Sequence, residues 1–416
     1  MLNNLKKYLT LNITRYDLPW LALFFVIPVF PILISPSILL IVFSLFVNNK
    51  KLKTNFTFNR LLLLPFFLYV AYMFGLFFTD TNGMPIVVAE RKLSFLVFPL
   101  IFIFHFGFDE LKRKLLWYSF FTGLLLYSFI SFCGSAISFY ENQNFDSFFS
   151  SDFSFELHPS YSSFYFCIAI VFLLNEMILH WRDFSKYKKM AFLSMFFLFS
   201  FVVFLLASKL GLISYLLILI SALIYFTYKS KKFKILLFFT AIIGLIMLLL
   251  FFVNPVPLQR FKNIFSATSI SQQELFMKHH NSIESNTVRR MIWIVSTEII
   301  KENPWGVGSG DANEALMVKY KEKDMNGAFE KQFNAHNQYL QTTIALGFIG
   351  LSLLILLLLA PIFEAFRKRS FILFMFSLVV ILNLSVESMF ESESGIVFIC
   401  LFYCFLLGEK KKNHEF

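Results

Sequence analysis

Four cations beside apolar segments are the residues of this chain best suited to chemistry. Arg91 precedes an apolar run at about 93–107, and Lys209 stands in a two-residue turn between two longer runs. Arg289 and Arg290 are adjacent in a later polar stretch. A cation close to hydrocarbon is costly and by default indicates function, and arginine binds phosphate through two parallel hydrogen bonds. These residues therefore predict contacts to an anionic group. Because neighbours on a helix point about 100° apart, only one of Arg289 and Arg290 is expected to face a given site, and Arg290 is preferred.

A histidine and two carboxylates stand at the ends of other apolar segments. His336 and Asn337 directly precede the run at 339–362. A histidine there titrates near neutral pH and can act as a general base, with Asn337 beside it as a binding residue. Glu387 and Glu391 lie one helical turn apart and are predicted to orient a cation or bind an acceptor.

Each candidate also has a structural interpretation. Arg91 and Lys209 can anchor helix ends by snorkelling to the interface, and Arg91 can pair with Glu90. Two adjacent arginines can lie on a solvated helix face, His336 can cap a helix, and Glu387 and Glu391 can simply be solvated. The spaced glycines of 306–310 could present backbone amides to an anion, although a tight turn is the favoured interpretation.

The composition identifies the elements that must position these residues. The chain has 416 residues, of which 57% are hydrophobic and only 15% charged. A soluble domain is about 45–50% apolar and about 25% charged, so this composition excludes a soluble globular protein and predicts an all-α polytopic membrane protein. The predicted spans, about twelve, are 18–34, 36–48, 61–79, 93–107, 115–139, 160–180, 190–207, 210–228, 235–253, 339–362, 371–386 and 395–408.

The formal charge of +11 indicates topology rather than nucleic-acid binding. Most of the lysines and arginines fall in alternate connecting segments, as cytoplasmic loops do under the positive-inside rule. The alternation predicts that both termini are cytoplasmic and that the long segment 254–338 is periplasmic. The predicted organisation is nine helices in 1–253, this periplasmic loop, and three helices with a cytoplasmic tail in 339–416.

One amphipathic helix is predicted inside the long loop, at 288–302. Its apolar residues recur with a spacing of 3.6, and the proline at 304 ends it because the residue before a proline avoids the helical region. The preceding stretch, 263–287, is polar and is predicted to be mobile. The predicted buried face consists of Met291, Ile292, Val295 and Ile299.

The outer cations and the histidine suit a lipid-linked diphosphate. Cations would stabilise a departing diphosphate, and a histidine would deprotonate an incoming hydroxyl. The chain has no HExxH motif, no Walker-type loop and no metal-spaced carboxylate pair, so we expect neither nucleotide, metal nor other cofactor. The predicted reaction is glycosyl transfer from a lipid diphosphate.

Residues 290–351 resemble the O-antigen ligase and polymerase superfamily. Those proteins share about twelve helices and one large periplasmic loop before a histidine. The order of elements is more specific than any one motif. The stretches that carry the resemblance are 290–293, the NPWGVGSG sequence at 303–310, HNQYLQ at 336–341 and LGFIGL at 346–351.

The resemblance implies a bacterial inner-membrane glycosyltransferase of the GT-C kind. Its donor would be an undecaprenyl-diphosphate-linked glycan, and in the ligase branch the acceptor is a hydroxyl of lipid A–core. The family histidine corresponds to His336, its loop arginine to Arg290 or Arg289, and an arginine before an early outer span to Arg91. Where the family often has arginine in an outer turn, this chain has Lys209, which keeps the charge but lacks the bidentate fork.

Other functions share parts of this pattern. A polysaccharide polymerase or a protein O-oligosaccharyltransferase would use the same donor and differ in acceptor, which no residue pattern here identifies. A transporter for an anionic or lipid-linked solute would use the same cations, but it predicts charges deep within the spans and broken helices in repeats. Most charges of this chain lie at segment ends instead, which favours an interfacial enzyme over a transporter.

Overall fold

Helices account for every regular element of the described part of the chain. The computed structural model describes residues 15–47, 59–80, 85–105, 108–230, 272–283 and 285–408. Six helices in these ranges are long and apolar enough to cross a membrane, and three shorter apolar helices accompany them. The prediction of an all-α polytopic membrane protein is therefore confirmed.

The helices are numbered here in chain order. Those of the first part are α1 (Leu18–Val26), α2 (Ile34–Val47), α3 (Leu63–Gly75), α4 (Pro85–Lys92), α5 (Ser94–His105), α6 (Glu110–Asn142), α7 (Ser150–Phe153), α8 (Pro159–His180), α9 (Lys186–Leu205) and α10 (Lys209–Ser230). Those of the second part are α11 (Gln272–His279), α12 (Ser285–Glu302), α13 (Ala312–Glu322), α14 (Asn326–Glu330), α15 (Gln338–Lys368), α16 (Phe371–Leu384) and α17 (Glu393–Leu407).

Most predicted spans coincide with a helix. The span predicted at 235–253 and the beginning of the long loop at 254–271 lie outside the described residues. The first predicted span, 18–34, is interrupted: α1 ends at Val26 and a 3₁₀ turn follows at Pro31–Leu33. Pro28 and Pro31 lack amide protons and so prevent a continuous helix. With nine residues, α1 is about 14 Å long and does not cross hydrocarbon of about 30 Å alone.

Helices α8 and α17 form the centre of the bundle. Helix α8 contacts α9, α10 and α16, while α17 contacts α5 and α16. Aromatic side chains fill the space between them: the rings of Tyr165 and Phe398 stack with centroids 4.2 Å apart. Trp117 of α6 stacks on Phe172 of α8 at 4.4 Å. Many of the 60 phenylalanines therefore have a packing role in this core.

The long loop contains the predicted amphipathic helix. Helix α12 spans Ser285–Glu302, and all four residues of its predicted apolar face are buried. The stretch at 263–287, for which mobility stays a prediction, contains a helix in its described part, because residues 272–279 form α11. Leu275 of α11 is fully buried, and the carbonyl of His280 accepts a hydrogen bond from Gly327 N–H at 3.2 Å.

A glycine-rich loop at 304–310 packs into a break in α15. The break is at Gly347, where φ is +61° and ψ is −159°, a conformation that essentially only glycine adopts. Backbone groups released by the break pair with the loop, as a membrane-embedded chain requires. The pairs are Val307 N–H to Ile344 O at 2.9 Å, Gly308 N–H to Ala345 O at 3.2 Å and Phe348 N–H to Pro304 O at 3.1 Å.

The far end of the same loop is fixed to α3. Ser309 donates from its hydroxyl to Tyr72 O at 2.6 Å and from its amide to Gly75 O at 3.1 Å. Gly310 N–H donates to Thr79 Oγ1 at 3.0 Å. The amides considered as an anion cradle are thus used in docking, in agreement with the favoured interpretation as a tight turn.

We predict that Gly347→Ala destabilises the protein. The new Cβ would lie 2.3 Å from the carbonyl carbon of Trp305, and the strained backbone alone costs about 1–3 kcal/mol. Thermal unfolding of the detergent-purified protein would show this as a lower midpoint. Gly134→Ala in α6 is the matched control, because a Cβ there meets nothing within 4 Å. Equal midpoints for the two variants would contradict this account of the break.

Candidate active site

Segments predicted to lie on one side of the membrane contact one another at one end of the bundle. The contacts join Ser35 to Glu393, Asp80 to Asp311, Arg91 to Glu391, Lys209 to Asn286 and Arg289 to Glu387. Segments predicted for the other side likewise meet, through Asp17 with Lys112 and through Leu407 O with Asn59 and Lys368. The contacts agree with the alternation of the connecting segments, while the periplasmic assignment stays a prediction.

Glu387 is the centre of the end of the bundle at which Arg91, Lys209 and Arg289 lie. Its carboxylate is buried between three elements and accepts from Arg289 Nη2 of α12 at 2.5 Å through Oε1. Its Oε2 lies 3.4 Å from His336 Nδ1, just before α15. Ser160 Oγ in the first turn of α8 donates to Oε1 at 3.4 Å. Two predicted site residues and the predicted carboxylate are thus brought together, although the chain separates Arg289 from Glu387 by 98 positions.

The backbone around His336 is shaped to present the imidazole. His336 has φ of +45°, an uncommon conformation for a residue with a side chain, and its N–H donates to Asn334 Oδ1 at 2.9 Å. Asn337 caps α15 by accepting from Tyr339 N–H and Leu340 N–H through its side chain, and its own N–H donates to Ser388 Oγ at 3.0 Å. Asn337, and not His336, therefore caps α15, and the imidazole of His336 contacts Glu387 instead.

The charges around Glu387 keep it ionised. Burial raises the pKa of this carboxyl, but the hydrogen bond with His336 and the charges of Arg289, His336 and His158 outweigh it, so the pKa lies below its ordinary value. Arg289 Nε is buried and has no hydrogen-bond partner in the described part of the chain. The guanidinium therefore keeps one donor that the described residues do not use.

Of the two adjacent arginines, Arg289 is the one that forms an ion pair with Glu387. Arg289 contacts the carboxylate, whereas Arg290, half-buried, points about 100° away around α12. The sequence preference for Arg290 as the catalytic arginine stays a prediction. Arg289 instead links α12 to the segment after α16.

Lys209 is positioned against the start of α12. It opens α10 directly after a tight turn in which Ala207 has φ of +46°. Its Nζ donates to Asn286 Oδ1 at 2.8 Å. The predicted preorganised cation is therefore held beside the helix that carries both arginines.

Arg91 shares its carboxylate with a lysine that the sequence analysis did not single out. Lys92 Nζ lies 2.6 Å from Glu391 Oε1, whereas Arg91 Nη1 lies 3.6 Å from Glu391 Oε2. The Lys92 side chain is 2% exposed and that of Arg91 is 33% exposed. Burial lowers the pKa of the Lys92 ammonium, and Glu391 counteracts this effect. The only sequence signal for Lys92 was its position as a second basic residue directly before an apolar run.

Gln338 is a second residue that sequence reasoning missed. Its Oε1 accepts from Phe390 N–H at 2.8 Å, and its Nε2 donates to Thr342 Oγ1 at 3.1 Å. A glutamine in the first turn of an apolar helix gives no hint of a partner 52 positions away. Within the described residues, no group of three or more His, Cys, Asp or Glu side chains lies close enough to hold a metal ion.

The family model described as O-antigen ligase matches residues 194–355. The resemblance stated from the sequence motifs is therefore confirmed for a segment that runs from α9 into α15 and contains Lys209, Arg289 and His336. Arg91, Glu387 and Glu391 lie outside the matched segment. No curated protein matches the chain.

The lowered pKa of Glu387 predicts a pH-dependent stability difference. Its ionised pairing stabilises the fold fully above the ordinary carboxyl pKa of 4.5 and is lost as the pH falls through the lower folded value. Glu387→Gln leaves Arg289 without its buried counter-ion and should cost about 3–5 kcal/mol at neutral pH. The gap in thermal midpoint between wild type and Glu387→Gln should therefore narrow below pH 4.5. The exposed Glu330→Gln is the control, and a gap that does not change with pH would contradict the assignment.

Proposed function

We propose that this chain, which carries an O-antigen ligase domain at residues 194–355, transfers a glycan from an undecaprenyl-diphosphate carrier to a hydroxyl of lipid A–core. The family is one of ligase- and polymerase-type membrane glycosyltransferases. The donor and the acceptor are the parts that we propose. We further propose a bacterial inner-membrane protein with cytoplasmic termini and a site that faces the periplasm.

The contact of His336 with Glu387 is the single observation that carries the proposal. A carboxylate beside Nδ1 at 3.4 Å accepts that N–H, which fixes the tautomer and leaves Nε2 free to accept a proton. Arg289 holds the same carboxylate from the other side, so the imidazole cannot rotate away without losing a charged partner. This arrangement suits a general base.

The reaction uses that base once per transfer. The acceptor hydroxyl oxygen attacks the anomeric carbon of the donor glycan and forms the new glycosidic bond. The bond between that carbon and the diphosphate oxygen breaks, and its electron pair leaves with the diphosphate. The hydroxyl proton passes to His336 Nε2, a step typically worth about 10²–10⁴-fold in rate.

Cations near the histidine would stabilise the departing diphosphate. Lys209 and the arginine pair are tied to one element, α12, and Arg91 lies on α4 at the same end of the bundle. Fixed cations aimed at developing negative charge act without reorganisation during the reaction. We assign the phosphate contact to Arg290, Lys209 and Arg91, and the support of Glu387 to Arg289.

The acceptor is the least constrained part of the proposal. A polysaccharide polymerase and a protein O-oligosaccharyltransferase would use the same donor and the same base, and the described contacts do not distinguish them. A transporter remains the candidate of another class. The grouping of charges around Glu387 and Glu391 at one end of the bundle favours the enzyme.

The transfer reaction is tested with purified protein, undecaprenyl-diphosphate-linked glycan and lipid A–core, with EDTA and without nucleotide. We expect glycan transfer by the wild type and a loss of about 10²–10⁴-fold in His336→Ala. His180→Ala, in the last turn of α8 at the opposite end, is the matched control. Lack of transfer to any lipid, glycan or protein acceptor would contradict the proposed glycosyltransferase function. Full activity of His336→Ala would contradict the assignment of His336 as the general base.

Substitutions of the two arginines are expected to differ in their effects on stability and on donor binding. Arg289→Ala should lower both the thermal midpoint and the transfer rate, because it leaves Glu387 buried with less charge compensation. Arg290→Ala leaves the pair of Arg289 with Glu387 in place, so it should lower the midpoint less than Arg289→Ala does. It should raise the KM for the donor about tenfold or more, as expected when a charge-assisted contact to phosphate is lost. The reverse pattern would exchange the two roles.

A further inference from the structure

Lys92 is a buried cation for which the transfer reaction proposed above has no use. It is 1% exposed, and its ammonium donates to Phe390 O and to Glu391 Oε1, each at 2.6 Å. The same ammonium lies 4.8 Å from the centroid of the Tyr72 ring. Burying a cation is costly unless each interaction is well formed, so its position is closely determined.

The contacts of Lys92 belong to a closed ring around Phe390. Lys92 binds the carbonyl of Phe390, and Gln338 binds its amide at 2.8 Å. Gln338 continues to Thr342 at 3.1 Å, and Thr342 Oγ1 shares a hydrogen bond of 3.1 Å with Tyr72. Tyr72 closes the ring under the ammonium. Both backbone groups of Phe390 are therefore held, one by α4 and one by α15.

This ring holds the segment that contains Glu387. Phe390 is three residues after Glu387, and Gln338 is two residues after His336. Ser388 adds a third connection by accepting from Asn337 N–H at 3.0 Å. Loss of the Lys92 contact would free one side of Phe390 and loosen the carboxylate that orients His336.

The two cations on Glu391 are bound unequally. Lys92 occupies Oε1 at 2.6 Å from a buried position, and Arg91 approaches Oε2 only to 3.6 Å from a partly exposed one. A carboxylate already neutralised at short range attracts a second cation less. Without Lys92, Glu391 would draw Arg91 into a close bidentate pair, which is the geometry that arginine also uses for phosphate.

We propose that Lys92 is a positioning residue that neutralises Glu391 and holds Phe390, so that Arg91 stays available to an anionic donor and Glu387 stays aligned with His336. The proposal rests on the proposed transfer reaction for the anionic donor that Arg91 would bind and for the role of His336 as the base, whereas the contacts of Lys92 with Phe390 and Glu391 do not depend on it. Two separable roles follow: the charge of Lys92 governs Arg91, and its hydrogen bond to Phe390 governs the Glu387 segment.

Steady-state transfer kinetics on the full-length protein separate the two roles. Lys92→Gln keeps a donor for Phe390 but removes the charge, so we expect the donor KM to rise about tenfold with kcat within about threefold of wild type. The double variant Lys92→Gln/Glu391→Gln should restore the donor KM. Lys92→Met should lower kcat as well, because it also removes the donor. Lys112→Gln, which breaks the pair with Asp17 at the opposite end, is the matched control and should leave both constants unchanged.

A double variant as impaired in KM as Lys92→Gln alone would overturn the charge role. Hydrogen exchange of the 386–392 segment tests the second role without any activity. We expect faster exchange of the Phe390 amide in Lys92→Met than in Lys92→Gln, and equal exchange in both would overturn it. Absence of transfer by the wild type would instead refute the proposed function, and the exchange result would still decide whether Lys92 holds the segment.

Discussion

A carboxylate buried at the end of a membrane bundle must be neutralised, and Glu387 imposes that constraint on the rest of this structure. Arg289 from the long loop and His336 from the start of α15 supply the charge and the hydrogen bond. Because Glu387 and these two partners come from three separate elements, satisfying one side chain brings the loop, the start of α15 and the segment after α16 to one point. The loop helix α12 is thereby tied to the bundle, and the imidazole is oriented.

The broken backbone at Gly347 is a second feature that holds the long loop against the bundle. The break at Gly347 exposes carbonyls that neither lipid nor the helix itself can satisfy, and the 304–310 loop supplies the amides. The loop segment is therefore attached to the bundle at two places, near Glu387 and near Gly347. Two attachments limit its rotation in a way that one would not, because α12 directly precedes the attachment at 304–310 in the chain and His336 follows it.

The candidate site draws on both parts of the chain. The matched O-antigen ligase segment, 194–355, carries Lys209, Arg289 and His336, while Arg91 and Glu387 come from outside it. The buried Lys92 joins two stretches that both lie outside the matched segment, because it binds the segment after α16 from α4. The charged groups at this end of the bundle are thus supported by buried polar contacts, in which Gln338 and Tyr72 take part.

Composition and periodicity determined most of the architecture by themselves. Apolar runs of sufficient length can only be helices in a bilayer, so most predicted spans were found near their predicted bounds, and the face of α12 followed from its 3.6 spacing. The residue types near segment ends also singled out Arg91, Lys209, His336 and Glu387 as candidate site residues. Only the tertiary structure decided that Arg289 contacts Glu387, that Lys92 and Gln338 hold Phe390, and that the spaced glycines serve docking. These contacts join positions far apart in the chain, and no local pattern records which distant group will neutralise a buried charge or complete a broken backbone.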